Sequence, residues 1–196
     1  MTFAYTDKAA ATLNRQLIAR YGRLKSLLSF DELNVLNEVN TVCRELYGII
    51  RKTFVRLANR VYRDALRDGV LRDLDEEWVD AILNGYDPVS KYVFSHEYDR
   101  RRARLIESIL ASNDRAREID AALRGMSFMC RVYADRITDE AVMRAYTDEG
   151  ENYVRWVAER DGKTCPVCRK RDGRIYEIHA VPADPHPNCR CRRERA

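Results

Sequence analysis

Between Leu36 and Ala65 the apolar residues Leu36, Val39, Cys43, Leu46, Ile50, Phe54, Leu57, Val61 and Ala65 cover 29 residues in eight steps. A mean step near 3.6 is the period of one buried stripe on an ordinary α-helix, where a coiled-coil seam needs 3.5. This run limits the chain to architectures that can house a long amphipathic helix. A helix from Asp31 to Asp68, stopped by Gly69, would be roughly 57 Å long. That is long for a ball of 196 residues, so the expectation is an elongated body in which it protrudes or packs along a partner.

The same period recurs on either side. Leu13, Leu17, Tyr21, Leu24 and Leu28 make one stripe, with Thr6 or Asp7 placed to cap its helix. "DLDEEWVDAILNG" predicts a short helix with Trp78 and Ile82 on one face and Gly85 at its end. In "DPVSKYVFSHEYDRRRARLIESILASND", Asp87 stands as the cap and Pro88 in the first turn. Asp114 opens a further helix through Ile119, Leu123, Met126, Met129, Tyr133 and Ile137, and "TDEAVMRAY" predicts a last short one. Cys43 and Cys130 fall on apolar faces and are expected to be buried thiols. Gly125 is expected to be a packing notch. "HEYDR" has Arg100 where a metalloprotease helix needs a second histidine, so that chemistry is excluded and His96 is expected to be a surface or capping residue. "DRRRAR" lies beside Glu97, Asp99 and Glu107 and reads as a solvated face.

The pattern changes at residue 151. Tyr153, Val154, Trp156 and Val157 are β-formers, closed by the turn signal Asp161-Gly162; after Asp172-Gly173, "RIYEI" alternates apolar and polar. Between them sits "CPVC", and after a stretch stiffened by Pro182, Pro185 and Pro187 comes "HPNCRC". The expected fold is therefore mainly α, an elongated helical body over 1–150 with a small β-hairpin module over 151–196, α+β in total.

Four of the six cysteines lie in these two pieces. Cys-x-x-Cys aims two thiolates at one tetrahedral centre, and a second cluster about twenty residues on completes the pattern of a zinc site. Two disulfides would account for the cysteines but not the histidine. They also conflict with an opening, "MTFAYTDKAA", that has no secretory pattern. Cys165, Cys168 and Cys189 are the first three ligands, and His186 and Cys191 compete for the fourth place. Five donors for four positions indicate a closed, structural Zn2+ rather than a catalytic one with an open position. A deaminase would need His-x-Glu ahead of the first pair, and "RDGKT" supplies none. A nuclease would have to rely on His179. No enzyme activity is expected.

Net charge is +4, and its location is informative. From Arg155 onward there are eleven Lys/Arg against six Asp/Glu, leaving 24 against 25 elsewhere. Arg169, Lys170, Arg190 and Arg192 are placed to offset thiolate charge. No run approaches the roughly 18 apolar residues of a membrane span, so no membrane partner is expected.

"YVRWVAERDGKTCPVCRKRDGRIYEI…PHPNCRC" resembles the C-terminal signature of the tailed-phage minor head proteins, the phage Mu F-like head-morphogenesis family. The likeness rests on Trp156, Asp161, Cys165, Cys168, Asp172, Gly173, Tyr176, His186, Pro187, Cys189, Arg190 and Cys191. It is strong over about 45 residues and does not reach the first eighty. The resemblance implies a minor capsid protein in several copies per head, inside the virion near the portal and in the host cytoplasm during assembly. Its implied partners are the portal or the major capsid protein, with packaged DNA contacted non-specifically. A zinc-dependent nucleic-acid-binding regulatory module is the second reading. Against it, no recognition-helix pattern lies between the metal half-sites.

Overall fold

The structure is a computed structural model that describes residues 2–27, 32–67, 72–187 and 189–196. It is mainly helical with a few small antiparallel strands. Four long helices form the body: α1 (Thr2–Leu27), α2 (Glu32–Ala65), α4 (Phe94–Ala111) and α5 (Arg115–Asp148), with the shorter α3 (Glu76–Asn84) between α2 and α4. At about 1.5 Å per residue, α2 and α5, each of 34 residues, are roughly 51 Å long. They run side by side in the same direction, as Tyr62 bonding to Asp148 (2.6 Å) near their C-terminal ends shows. Antiparallel to both, α1 and α4 flank this pair. Arg20 approaches Glu45 while Tyr5 meets Arg60, and Arg102 bonds to Asn40 while Tyr98 donates to the Cys43 carbonyl.

α2 therefore does not protrude. Its stripe from Val39 to Val61 is buried against α1, α4 and α5. Leu36, expected in that stripe, is half exposed, and its neighbour Val35 is fully buried instead. On α1, Leu13, Leu17, Tyr21 and Leu24 are buried, while Leu28, Asp31, Asp68 and Gly69 lie outside the described residues. Thr6 and Asp7 do not cap α1, which already begins at Thr2. Thr6 instead bonds to Thr138 across the helices (2.8 Å), and Asp7 pairs with Arg131 (2.5 Å).

Two further expectations change. Asp87 caps a turn, not a helix: its carboxylate accepts the N–H groups of Val89 (3.2 Å) and Ser90 (3.0 Å). Lys91 at φ 64° completes this turn, which joins β1 (Tyr86–Asp87) to β2 (Tyr92–Val93). The short helix expected at "TDEAVMRAY" is the last third of an unbroken α5, because Thr138 is buried within the bundle rather than freed to cap. On α3 the buried face is Val79, Ile82 and Leu83, with Trp78 at its edge. Gly125 is a notch: a Cβ there would stand 2.5 Å from an Arg101 guanidinium nitrogen. Arg101 and Arg100 both pair with Glu97, a buried carboxylate, so "DRRRAR" is spent largely on local ion pairs.

The C-terminal segment is more than a hairpin. β3 (Tyr153–Val157) lies between β4 (Ile175–Glu177) and β5 (Arg192–Arg195) in an antiparallel sheet of order β4-β3-β5. The expected pairing of β3 with "RIYEI" is present, with Val154 opposite Tyr176. The third strand, four charged residues opposite Val154 to Val157, was not expected. Its own small core, Trp156, Ala158, Cys168, Cys189 and Cys191, is separate from the core of the helical body.

Candidate metal centre

Cys165 caps the six-residue α6 (Pro166–Arg171), with Pro166 in the first turn, where its missing N–H is no loss. The Cys165 sulfur accepts the Cys168 N–H at 3.3 Å, which folds "CPVC" into a knuckle with both sulfurs on one side. Ile178 closes the far end of β4 by donating to the Asn152 carbonyl (2.9 Å), and the proline-rich segment then returns the chain. A tight turn, Cys189 N–H to the His186 carbonyl (3.1 Å), brings the second cluster against the first.

All five predicted donors meet around Cys168. Cys165, Cys168 and His186 have ligand atoms within 4.8 Å of one another, and so do Cys168, Cys189 and Cys191. The Cys168 and Cys189 sulfurs are 3.5 Å apart. His186 and Cys191, the two competitors for the fourth place, are both drawn in, each in a triad that contains Cys168. Cys165, Cys168, His186 and Cys191 also line a space of about 20 Å³, room for a single small particle such as one ion. His179 is exposed on the 3-10 turn Ile178–Ala180 and stands outside both triads.

The thiols divide into two kinds. Cys165 is lowered to about 7, first by the Cys168 N–H and then by its neighbours Cys168 and His186. Cys191 is lowered to about 6 by Cys189, and further by Cys168 and the Trp156 indole. Cys168 is pushed up to about 12 by burial, and Cys189 rises further because it donates to Cys191. Cys165 and Cys191 lean toward thiolate and Cys168 and Cys189 away from it, since four adjacent thiolates would repel without a cation. A metal ion removes that conflict by taking the place of the protons.

A buried orphan points the same way. Trp156 is fully buried, and its Nε1–H has no well-formed hydrogen bond. The acceptor it approaches is the Cys191 sulfur, whose thiolate it favours. Outer N–H groups of this kind orient and stabilise metal-bound sulfur.

Several of the other motif positions brace the segments around this cluster. Asp161 accepts a two-pronged bond from Arg190 (2.6 and 2.7 Å) and the Lys163 N–H (2.9 Å); Arg190 holds its carboxyl well below the usual range. Asp172 accepts the Ala158 N–H (3.0 Å) and Arg160 (2.8 Å). Gly173 at φ 76° donates to the Trp156 carbonyl (2.8 Å), a conformation costly for any side chain. Tyr176 meets the Trp156 ring edge-on at 6.5 Å between centroids.

Offsetting thiolate charge is only part of what the basic residues do. Arg190 senses Cys191 but is forked onto Asp161, Arg169 donates to the Thr164 carbonyl, and Arg192 pairs with Glu194. Sequence reasoning missed the residues that join this module to the helices. Arg193 bonds to Asp139 on α5 (2.6 Å) and Asp184 (2.7 Å). Arg195 bonds to Glu149, Glu151 (3.0 Å) and the Ala65 carbonyl (2.6 Å). One signal was present: in "CRCRRER" every second residue from Cys189 to Arg195 is one that a buried face must either ligate or pair.

The Cys165, Cys168, Cys189 and Cys191 cluster can hold a metal ion. No helix among the described residues is long and apolar enough to cross a membrane. Comparison of the chain with models of known families, with curated proteins and with solved structures gives no match in any of the three.

Proposed function

We propose that the chain is a structural minor head protein of a tailed phage, whose C-terminal module is closed by one Zn2+. The observation that supports this reading is that the motif residues converge: five soft donors form two triads that share Cys168, and four of them line one small space. Thiolate and imidazole select zinc among abundant divalent ions. With five protein donors available for four positions, no place is left for a reactive water. Bound there, zinc supplies a cross-link and no chemistry. The chain's own contribution is to hold thiolates at Cys165 and Cys191 and to exclude solvent with Trp156.

The remaining basic side chains favour loose contact with packaged DNA. Arg155, Lys163, Lys170 and Arg174 are exposed and have no carboxylate partner among the described residues. α6 is too short to read a groove, which weighs against the regulatory alternative.

The test has two arms. Elemental analysis of reduced protein purified without added metal should give about one zinc per chain; none, with the fold intact, defeats the zinc assignment. In purified virions and procapsids of the source phage, the protein should be internal, protected from added protease and cross-linked to portal or capsid subunits. Its absence from both particles defeats the head assignment.

A further inference from the structure

Cys189, Cys191, Arg193 and Arg195 alternate along one extended segment and are all turned inward, while Arg190 and Glu194 are exposed between them. One half of this face ends in the metal cluster and the other half ends in the helical body. Trp156 joins the halves. Its N–H approaches Cys191, and the Arg193 guanidinium lies over its ring at 4.3 Å. Further on, Arg195 stacks on Tyr146 of α5 at 4.5 Å and reaches the last carbonyl of α2, at Ala65. Both guanidiniums are nearly covered, with side chains 7 % and 10 % exposed, and each holds two carboxylates.

We propose that this segment is a metal-locked clasp, in which ligation at Cys189 and Cys191 fixes β5 and so decides whether the module stays docked on the ends of α2 and α5. The proposal rests on the metal reading above. Without ligation the segment is left with its β3 pairing and its two inward arginines: its four strand residues are all charged, and among the described residues β3 is its one strand partner. Between it and the helices lies a cavity of about 370 Å³, lined by β5 itself and by Tyr5, Val61, Thr138, Asp139 and Tyr146 of the helical body. Opening the clasp turns that helical face to solvent. Metal occupancy thereby gates a surface on the helical body, although every ligand belongs to the other module. Coupling of this kind is reciprocal, so loosening the arginine end must also weaken the hold on the ion.

Hydrogen exchange of the full chain tests this. Stripping the ion with a strong chelator, thiols kept reduced, should raise exchange at least tenfold at residues 61–65 and 138–149 and leave 117–130 unchanged. The Arg193→Ala/Arg195→Ala protein should retain about one zinc per chain and lose protection in the same two segments. It should also bind the ion about tenfold more weakly in equilibrium competition with a chelator. If the ion leaves and residues 138–149 keep their protection, or the double variant keeps both protection and zinc affinity, the clasp is refuted while the metal site stands. If the native protein binds no zinc, both fail together.

Discussion

Replacing Trp156 by Phe removes one N–H from beside Cys191 and leaves an aromatic face for Arg193 and Arg171, which lie 4.3 and 4.8 Å from the ring centroid. Loss of an outer-shell partner costs typically ~10–100-fold in metal affinity, which is about 1.4–2.7 kcal/mol. The smaller ring also leaves a gap in a core of only five buried residues, and that packing loss adds to the apparent effect. A double-mutant cycle separates the two. Zinc affinity is measured by competition with a chromophoric chelator, under reducing conditions, for native protein, Trp156→Phe, Cys191→Ser and the double variant. If the indole acts through the Cys191 thiolate, Trp156→Phe should cost at least about 1.4 kcal/mol less in the Cys191→Ser background, the lower end of that outer-shell range. An equal cost in both backgrounds would reduce Trp156 to a filler and refute the reasoning.

Cys165→Ser should unfold the module from about Tyr153 onward and leave the helices intact, because zinc contributes on the order of 10–16 kcal/mol to small metal-folded domains; circular dichroism with limited proteolysis checks it. DNA binding, if carried by four free cations, should weaken roughly a hundredfold between about 50 and 200 mM salt, measured by fluorescence anisotropy with unrelated duplexes. Burial, opposed by Arg131, raises the Asp135 carboxyl to about 6. The folded chain holds this proton more tightly than the unfolded one, so the contribution is full below about pH 4 and lost as pH rises through about 6. Asp135→Asn should therefore be more stable than the native protein at pH 7, by at most about 3 kcal/mol, with the gap closing near pH 4 in thermal melts.

Periodicity exposed the helical body because burial on a helix repeats locally, and the stripe from Val39 to Val61 needs no knowledge of its partners. It fails where two apolar neighbours compete, as at Val35 and Leu36, since either phase fits the pattern and only the packing of α1 and α4 decides. Thr138 looks like a helix start because its partner Thr6 is 132 residues away. β5 was invisible for a similar reason. Nothing in "RRER" favours a strand, and what holds it is the free edge of β3 together with acids 46 and 54 residues earlier, Glu149 and Asp139. The five candidate donors were legible as a set because a metal site requires short spacings. Their division into two triads around Cys168 was not, since it depends on how the proline-rich return is laid down.

Cys43 and Cys130 lie deep in the helical body, where burial raises their thiols to about 11 and about 12. Thiol reagents attack the ionised, accessible sulfur, so these two stay silent at neutral pH until the bundle opens. The other four are silent only while an ion occupies them. Titration with a chromogenic disulfide should accordingly count none in the loaded protein, four after chelation and six in denaturant. The six cysteines form a two-step gauge that reports, in one cuvette, which of the two cores has come apart.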